Sequence, residues 1–508
     1  MLLITLALGL LVVGLIYVML TWHHQYWRQR RVPGPKPNVF TGNYDNLYTM
    51  KRHAIYDLDD IYRKYKSKYD AVGIFSGRNP QLLVISPQLA RRVFVSDFKS
   101  FHDNEVASFI DEKSDFIFAN NPFSLTGEKW KQRRADVTPG LTMSRIKTVY
   151  PVTNQVCQKL SDWLVKQIRL GASEGINAKD MSLCFTSEMV TDCVLGLKAE
   201  SFTDKPTPIM GHIKDLFGQS WSLIFYFIML SNFPSLRHLI RLRFVPKRVE
   251  EFFVDLMKNA VDARKAQLAM GKQFERVDFL DYILQLAEKR NLDTRSLLAY
   301  TMTFLLDGFE TTASVLSLLL LQLARNPDKQ ERLRKEINEN LKNGKDFIEF
   351  DKIPELPYLE ACIQETIRLS PPAAMSNKLC TEQIELPNKD GPNFIVEKGT
   401  VVVVPHYCFN TDEELYPQAQ EFQPERFMQP DAAKDLRERC ALMSFGDGPR
   451  ICIGMRFALT QIKAAAVEIV TKFKFRPNPK TRTDNLFEPT GIITSLQGGI
   501  WLDFEALK

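Results

Sequence analysis

The stretch SFGDGPRICIGMRFA, Ser444 to Ala458, sets a single cysteine between a glycine-rich loop and an apolar helical segment. A cysteine just before a helix start lies at the positive end of the peptide dipoles, and Arg450 adds charge, so a thiolate at Cys452 is favoured. Gly446 and Gly448 let the backbone approach a flat, bulky partner closely. A lone buried cysteine is more often structural, but this arrangement predicts a ligand.

The same stretch resembles the heme-binding signature of the cytochrome P450 family, F-x-x-G-x-R-x-C-x-G, through Phe445, Gly448, Arg450, Cys452 and Gly454. The resemblance implies that Cys452 is the proximal thiolate ligand of the iron of heme b, with electron donation that favours O–O cleavage. It also implies that Phe445, Arg450 and Gly454 bind the cofactor.

Two further motifs resemble the family in order and spacing. Its E-x-x-R is Glu365 with Arg368, and its P-E-R-F is Pro424 to Phe427. The resemblance implies a buried ion-pair network of Glu365, Arg368 and Arg426. A solvated pair three residues apart on one helix face is the alternative interpretation.

Basic and indole side chains are expected at the heme propionates. The family's W-x-x-x-R is matched by Trp130 and Arg134, for which packing and a solvated face are the alternatives. Members commonly carry an arginine two residues before a C-T pair, where this chain has Lys378. Lysine supplies a point charge without the bidentate fork of arginine, so we expect an altered contact there.

An apolar segment predicts one long buried helix. It begins near the N-cap candidate Asp293 and stops before Pro327. Its middle contains Asp307, Glu310 and Thr311, which share one helix face. The segment resembles the family's distal helix motif, A/G-G-x-D/E-T-T, which implies that Thr311 relays protons to dioxygen and Glu310 supports it. A hydroxyl bonded to the carbonyl four residues earlier is compatible with that role.

Asp307 departs from the family pattern, in which alanine or glycine is usual. A carboxylate there is costly unless it finds a partner. One branch of the family carries glutamate at this place and esterifies a heme methyl. We therefore expect Asp307 either to contact the heme edge or to hydrogen-bond water in the distal relay. The short side chain favours the noncovalent contact over an ester.

The uncharged run Leu2 to Leu20 is long enough, at roughly 28 Å of helix, to span a bilayer. A cleaved signal peptide is the alternative, but the basic n-region and the A-x-A site are missing. Trp22, Tyr26 and Trp27 suit the membrane interface, and the arginines that follow favour a cytosolic body. The sequence predicts an anchor (1–21), a basic and proline-rich linker (22–38) and a catalytic domain (39–508), in the endoplasmic reticulum membrane.

Composition is that of one globular body, with 45% hydrophobic and 25% charged residues. The net charge of +6 over 508 residues argues against nucleic acid. Eight cysteines without C-x-x-C spacing suggest neither zinc nor disulfides.

Mostly helical spacing with β-branched runs at Gln81–Ser86 and Thr400–Pro405 predicts a mainly α protein with small β-sheets, an α+β class. The resemblance implies the cytochrome P450 fold.

No nucleotide-binding G-x-G-x-x-G occurs, so electrons must come from a partner. The resemblance implies NADPH-cytochrome P450 reductase, with cytochrome b5 as a further candidate. One group of basic residues is interpreted either as a docking face for the reductase or as an ordinary solvated surface. Its members are Lys131, Arg133, Lys434, Arg437, Arg439 and Lys463. A second, shallow membrane contact is predicted at Trp221–Leu230 and the basic residues Arg237, Arg241, Arg243, Lys247 and Arg248.

The substrate is expected to be lipophilic. By resemblance, its contacts come from Phe109–Ala119, Ser220–Phe227, Phe304–Phe309, Ala373–Met375 and Ile492–Thr494. The sequence around Cys452 is similar to that of insect microsomal members, which act on xenobiotics, insecticides and some hormones. The sequence thus predicts a heme-thiolate monooxygenase. A dedicated steroid or fatty-acid hydroxylase and a non-catalytic heme-binding sensor remain the alternatives.

Overall fold

The computed structural model describes residues 2–171, 174–218, 221–233, 236, 243–270, 278–341, 347–389, 392–429 and 431–507. Three residues of the sequence predictions, Ser220, Arg237 and Arg241, lie outside the described residues. Within the described ranges the chain is mainly helical with three small sheets, which confirms the predicted α+β class.

Helices dominate the described part of the chain. In chain order they are α1 (Leu2–Thr21), α2 (Tyr26–Gln29), α3 (Asp45–Thr49), α4 (Ile55–Tyr65), α5 (Pro87–Arg91), α6 (Phe116–Ala119), α7 (Gly127–Val137), α8 (Met143–Arg169), α9 (Ala178–Leu195), α10 (Ile209–Phe217), α11 (Trp221–Asn232), α12 (Lys247–Ala269), α13 (Phe279–Arg290), α14 (Thr294–Arg325), α15 (Pro327–Asn340), α16 (Pro357–Leu369), α17 (His406–Asn410), α18 (Ala432–Glu438) and α19 (Met455–Lys472).

The strands are β1 (Ala71–Ser76), β2 (Asn79–Val84), β3 (Asp103–Asn104), β4 (Ile176–Asn177), β5 (Ser376–Leu379), β6 (Ile384–Leu386), β7 (Phe394–Val396), β8 (Val401–Val404), β9 (Phe473–Pro477) and β10 (Trp501–Ala506). The largest sheet has the order β1-β2-β8-β5-β3, and the others are β4-β10-β9 and β6-β7. The two predicted β-branched runs are β2 and β8, which pair in parallel. Strand β5 pairs with β8 and places Lys378 opposite Val402.

Helix α14 begins and ends where the sequence predicts. The Asp293 side chain accepts a hydrogen bond from the Ser296 N–H at 2.7 Å, and Pro327 opens the next helix. The helix is apolar nearly all round because α9, α13, α16 and α19 pack against it. Between 297 and 324, Asp307 is the one exposed side chain. The central helix therefore presents its acid at a break in otherwise continuous packing.

Two helical segments among the described residues are long and apolar enough to cross a membrane. Leu2–Gln29 has a mean hydropathy of 2.7 with its most apolar part fully exposed, whereas Thr294–Arg325 has 1.5 and is mostly buried. The second segment is the core helix α14. The first presents its apolar side chains outward, which is compatible with an anchor.

The connection after α1 is packed onto the largest sheet. Trp27 is 3% exposed, its indole N–H donates to the Ile74 carbonyl at 3.0 Å, and its ring lies where a Cβ on Gly73 would stand. The Gly73 N–H donates to the Pro33 carbonyl at 2.7 Å. The expectation that Trp27 lies at the membrane interface is wrong, because protein buries the indole. Trp22 stays 73% exposed.

Candidate active site

The predicted ion-pair network is confirmed. Nε and Nη2 of Arg368 lie 2.7 and 2.8 Å from the two carboxylate oxygens of Glu365, and both side chains are fully buried. Arg426 Nε lies 3.0 Å from Glu365 Oε1. Arg368 also donates to the carbonyls of Asn410 and Ala419. The network ties α16 to the chain beyond β8, so the solvated-pair interpretation is wrong.

Backbone contacts shape the loop before Cys452. Gly448 has a φ of +64°, and a Cβ there would lie 2.0 Å from the carbonyl oxygen of Phe94. The Gly448 N–H donates to Asp447 Oδ1 at 2.7 Å, and the Cys452 N–H donates to the Phe445 carbonyl at 2.8 Å. Both the backbone conformation and the available space therefore require glycine at 448.

The Cys452 side chain lies at the start of α19. It accepts hydrogen bonds from the N–H groups of Gly454 and Met455, and these bonds together with Arg134 favour the thiolate. Desolvation outweighs them and raises the pKa of the thiol. The predicted effect of the helix start on the thiolate is present. The nearby positive charge, however, comes from Arg134 and not, as the sequence had predicted, from Arg450. A positively charged partner is still needed to hold the thiolate.

Arg450 clamps the cysteine loop to the segment 102–125. Its Nε donates to the His102 carbonyl, Nη1 to Pro122 O at 2.9 Å and Nη2 to Leu125 O at 2.8 Å. Nη2 also lies 3.3 Å from Asp103 Oδ1. Burial is the main cause that lowers the pKa of Arg450 to about 10. Of its five N–H groups about one remains available to a propionate, so its main partner is the protein.

Trp130 and Arg134 lie beside this clamp. The Arg450 guanidinium carbon is 4.2 Å from the centre of the Trp130 ring, and the indole is buried. Arg134 Nη2 donates to the Ile451 carbonyl at 2.8 Å, and burial lowers its pKa. Helix α7 thus brings both members of the predicted W-x-x-x-R pair to the residues that precede Cys452.

Lys378 is buried on β5. Its Nζ donates to Asn104 Oδ1 at 2.8 Å and lies 5.2 Å from the centre of the Phe94 ring. Desolvation, with a smaller effect from the charge of Arg450, lowers the pKa of Lys378 to about 7. A neutral amide oxygen does not compensate a buried ammonium, so an anion beside it would restore the usual charge.

On the distal side, Thr311 and Glu310 point to different partners. Thr311 Oγ1 donates to the Asp307 carbonyl at 3.0 Å, which is the bond to the carbonyl four residues earlier. The Glu310 carboxylate lies 2.8 Å from Lys179 Nζ on α9, and these side chains are only 12% and 15% exposed. The acid of the predicted relay is therefore held in an ion pair.

The Asp307 carboxylate receives the Asn121 side-chain amide at 3.3 Å from each oxygen. Asp307 and Cys452 are both exposed to solvent, yet the surrounding protein desolvates both side chains enough to raise their pKa values. Both observations hold for groups that line an interior cleft. Desolvation raises the pKa of Asp307 to about 7. The charge of Asp307 is also one cause of the raised pKa of Cys452, so the two side chains lie near each other.

These residues fit a heme. No group of three or more His, Cys, Asp and Glu in the described part of the chain could hold a bare metal ion, whereas heme iron needs one axial protein ligand such as Cys452. At Gly454 φ is −86°, and a Cβ would meet no protein atom within 4 Å. Protein packing alone does not require glycine there, but a flat group against this turn would. The predicted propionate contacts would use the N–H groups of Trp130, Arg134 and Lys378.

Comparison with known proteins decides the family, because the cytochrome P450 family model matches residues 32–502. The chain belongs to the cytochrome P450 family. It is 71% identical over 507 residues to probable cytochrome P450 28a5 of Drosophila melanogaster, with 100% of both chains covered. It is 47% identical to probable cytochrome P450 28d1 of the same fly, with 97% of each covered, and 29% identical to cytochrome P450 9e2 of Blattella germanica, with 97% and 96% covered.

This cytochrome P450 is a monooxygenase, and its family binds heme through a cysteine thiolate.

The structure corrects the docking face expected from the sequence. Arg133 is buried with its guanidinium 3.6 Å from the Tyr300 ring centre, and Lys463 is buried in a 2.7 Å ion pair with Glu360. Neither can meet a partner, because each charge already has its contact inside the protein. Lys434 remains exposed.

Some residues of the substrate segments of this cytochrome P450 pack elsewhere. Phe304 stacks on Phe279 at 5.5 Å between ring centres, and Phe309 is fully buried beside Phe253. Phe309 points away from the Asp307 face, whereas Phe304, three residues before Asp307, shares that face but is packed into the core by Phe279. The range Phe304–Phe309 therefore contributes chiefly its acid to the cleft.

Sequence reasoning missed Asn121 and Lys179. Asn121 lies in the turn after α6 and contacts a residue 186 positions away, while Lys179 contacts one 131 positions away. Neither belongs to a motif that the sequence singled out. The signal that could have found them was the polar face of α14, because buried acids require partners.

Proposed function

We propose that this cytochrome P450 inserts one oxygen atom of O2 into lipophilic xenobiotics, insecticides or insect hormones, with electrons from NADPH-cytochrome P450 reductase and with cytochrome b5 as a second donor. One observation carries the proposal. The Cys452 thiol and the Asp307 carboxyl group are both exposed and lie near enough for the charge of Asp307 to affect the thiol, so a cofactor on Cys452 would lie beside the face of α14 that carries Thr311. The relatives of the chain are insect members of the family, which is the group that the sequence around Cys452 resembles.

When bound, heme b supplies the redox chemistry that activates dioxygen. Cys452 would hold the heme iron through its thiolate, which the N–H groups of Gly454 and Met455 would stabilise. Trp130, Arg134 and Lys378 would bind the propionates. Burial of a charged lysine is offset when an anion pairs with it, which favours this role for Lys378.

Thr311 and Glu310 would bring protons into the cleft. Thr311 Oγ1 donates its proton to the Asp307 carbonyl and keeps lone pairs that accept from a water molecule. Glu310 is ionisable and borders the same helix turn, and its contact with Lys179 stabilises the charged carboxylate in the protein interior. A hydroxyl backed by an acid is the arrangement that proton delivery requires.

Residues 1–21 would anchor the protein in the endoplasmic reticulum membrane, and residues 39–508 would form the cytosolic catalytic domain. Residues 22–38 would link the anchor to this domain. The support is the outward apolar surface of α1 and the packing of Trp27 and Pro33 against β1. This packing couples the orientation of the anchor to that of the sheet.

The test is a reconstituted system of full-length protein, reductase and lipid vesicles. A reduced carbon monoxide spectrum reports thiolate ligation, and NADPH consumption with product formation across a substrate panel reports turnover. We expect oxidised xenobiotics or hormones. Thiolate ligation without turnover on any substrate would instead identify a sensor, and turnover confined to steroids or fatty acids would identify a dedicated hydroxylase.

A further inference from the structure

The acid Asp307 has an unusual partner. Two neighbouring acids meet positive charge, since Glu310 pairs with Lys179 and Asp103 with Arg450. The described partner of the Asp307 side chain is a neutral amide, Asn121. Asp307 is therefore a carboxylate without a cation, in a position where charge is costly.

The orientation of the Asn121 amide follows from its own contacts. Its Oδ1 accepts the Phe123 N–H at 2.7 Å, so its Nδ2 must face Asp307. The two contacts at 3.3 Å are longer than the usual value of about 2.9 Å, so they are weak. A carboxylate offers about four lone-pair sites. The pair leaves acceptor capacity on Asp307 for a stronger donor.

The segment around Asn121 is held from both sides. Arg133 Nη1 donates to the Asn120 carbonyl at 2.8 Å, and Arg450 donates to the carbonyls of Pro122 and Leu125. Because these bonds fix the backbone, the amide is preorganised and holds the carboxyl group in one orientation. A preorganised site loses less entropy when a ligand binds.

Apolar groups lie near the same face of α14. Ser314, one turn beyond Thr311, donates to the Thr494 carbonyl at 2.8 Å and so brings the turn with Ile492 and Ile493 to this helix. Ile492 is 43% exposed. The surroundings therefore suit a ligand with a hydrocarbon body and one polar group.

We propose that Asp307, oriented by Asn121, binds the ammonium group of a lipophilic amine substrate. The amine supplies both the positive charge and the donor that the carboxylate lacks, while its hydrocarbon part contacts the apolar lining. A charge-assisted N–H···O bond is about twice as strong as a neutral one. The raised pKa of Asp307 is consistent with a carboxyl group that lacks a cation. The inference deepens the proposed function, on which it rests.

The test compares two ligands of the same shape on the heme-loaded full-length protein. One is a protonated phenylalkyl dimethylamine, and the other is the hydrocarbon in which CH replaces its nitrogen. Equilibrium dialysis and the perturbation of heme absorption give both dissociation constants. We expect Asp307→Asn, which keeps the shape and the Asn121 contact, to lower the amine preference about tenfold. Asn121→Leu, which keeps the acid, should lower it severalfold.

Asp351→Asn is the control, because that acid lies outside the site and already has a cation, Lys147 Nζ at 2.6 Å, so the amine preference should stay unchanged. An unchanged preference in both Asp307→Asn and Asn121→Leu would overturn the inference. An alcohol of the same skeleton that lost as much affinity in Asp307→Asn would also overturn it, since charge would not matter. Parent protein without a thiolate spectrum or turnover would instead refute the proposed function.

Discussion

Lys179 Nζ lies 2.8 Å from Glu310 Oε1, in an ion pair between α9 and α14 that is almost shielded from solvent. The two residues join the helix that carries the proposed relay to the helix that packs most extensively beside it. Glu310 is therefore both a candidate member of the relay and a structural contact. Mutations must separate the two roles.

Removing the lysine alone should destabilise the protein. In Lys179→Met the Glu310 carboxylate stays buried without a cation, which costs about 3 kcal/mol. Combining it with Glu310→Gln should restore most of that loss, because no uncompensated charge remains. Urea unfolding of the parent, the single variants and the double variant measures the cycle. Strictly additive losses would contradict the buried pair.

Thr311→Ala should uncouple the enzyme. Loss of the hydroxyl removes a proton relay, so product formed per NADPH consumed should fall about 100-fold. Thr311→Ser, which keeps the hydroxyl, should retain most of the coupling. Product, NADPH and peroxide are quantified together. If Thr311→Ala coupled as well as the parent, the assignment of proton delivery to this residue would be wrong.

Two glycines of the cysteine loop should respond differently to alanine. Gly448→Ala places a Cβ against the Phe94 carbonyl at a positive φ, so the loop should misfold and heme content should collapse. Gly454→Ala meets no protein atom, so the helical circular dichroism of the protein should be normal while heme content falls. Full heme loading of Gly454→Ala would contradict a flat group at this turn.

Lys378 should make the stability of the heme-free protein depend on pH. Its folded pKa of about 7 is below the unfolded value of 10.5, so the unfolded chain binds more protons between these values. The free energy of unfolding should therefore rise from pH 7 toward pH 10. Lys378→Met should abolish this contribution. Heme should abolish it too if a propionate pairs with the lysine, and a rise that persists in the holoenzyme would exclude that contact.

Asp307 should leave the heme unmodified. Its side chain is one methylene shorter than the glutamate that forms the ester in one branch of the family, and its contact with the Asn121 amide at 3.3 Å is noncovalent. Acid extraction of the purified holoenzyme, followed by mass spectrometry, should release all the heme at its unmodified mass. Heme that stays with the protein would establish an ester, and Asp307→Asn would then make it extractable.

Motifs and helix boundaries could be predicted from the sequence because their causes are local. The cap at Asp293, the stop at Pro327 and the pairing of Glu365 with Arg368 depend on residues close in the chain. Side-chain direction was less predictable. Trp27 was placed in a membrane interface, yet it is buried against β1 because the connector folds back onto the sheet.

The positive charge of a side chain was likewise not enough to predict whether it is exposed or buried. Arg133 and Lys463 look like surface residues in a basic sequence, but each is buried against a distant partner, Tyr300 or Glu360. The same holds for Asn121, whose role exists only because the segment 120–125 passes α14. Contacts between residues far apart in the chain leave no periodic signal.

The sequence by itself determined the family, the mainly helical class, the candidate ligand cysteine and the polar face of α14, because short motifs and local periodicity carry that chemistry. Only the tertiary structure decided which partner each polar group has: Lys179 for Glu310, Asn121 for Asp307, and the carbonyls of 102–125 for Arg450. The physical reason is that a buried charge must be compensated, but any distant segment that the fold brings near can supply the compensation.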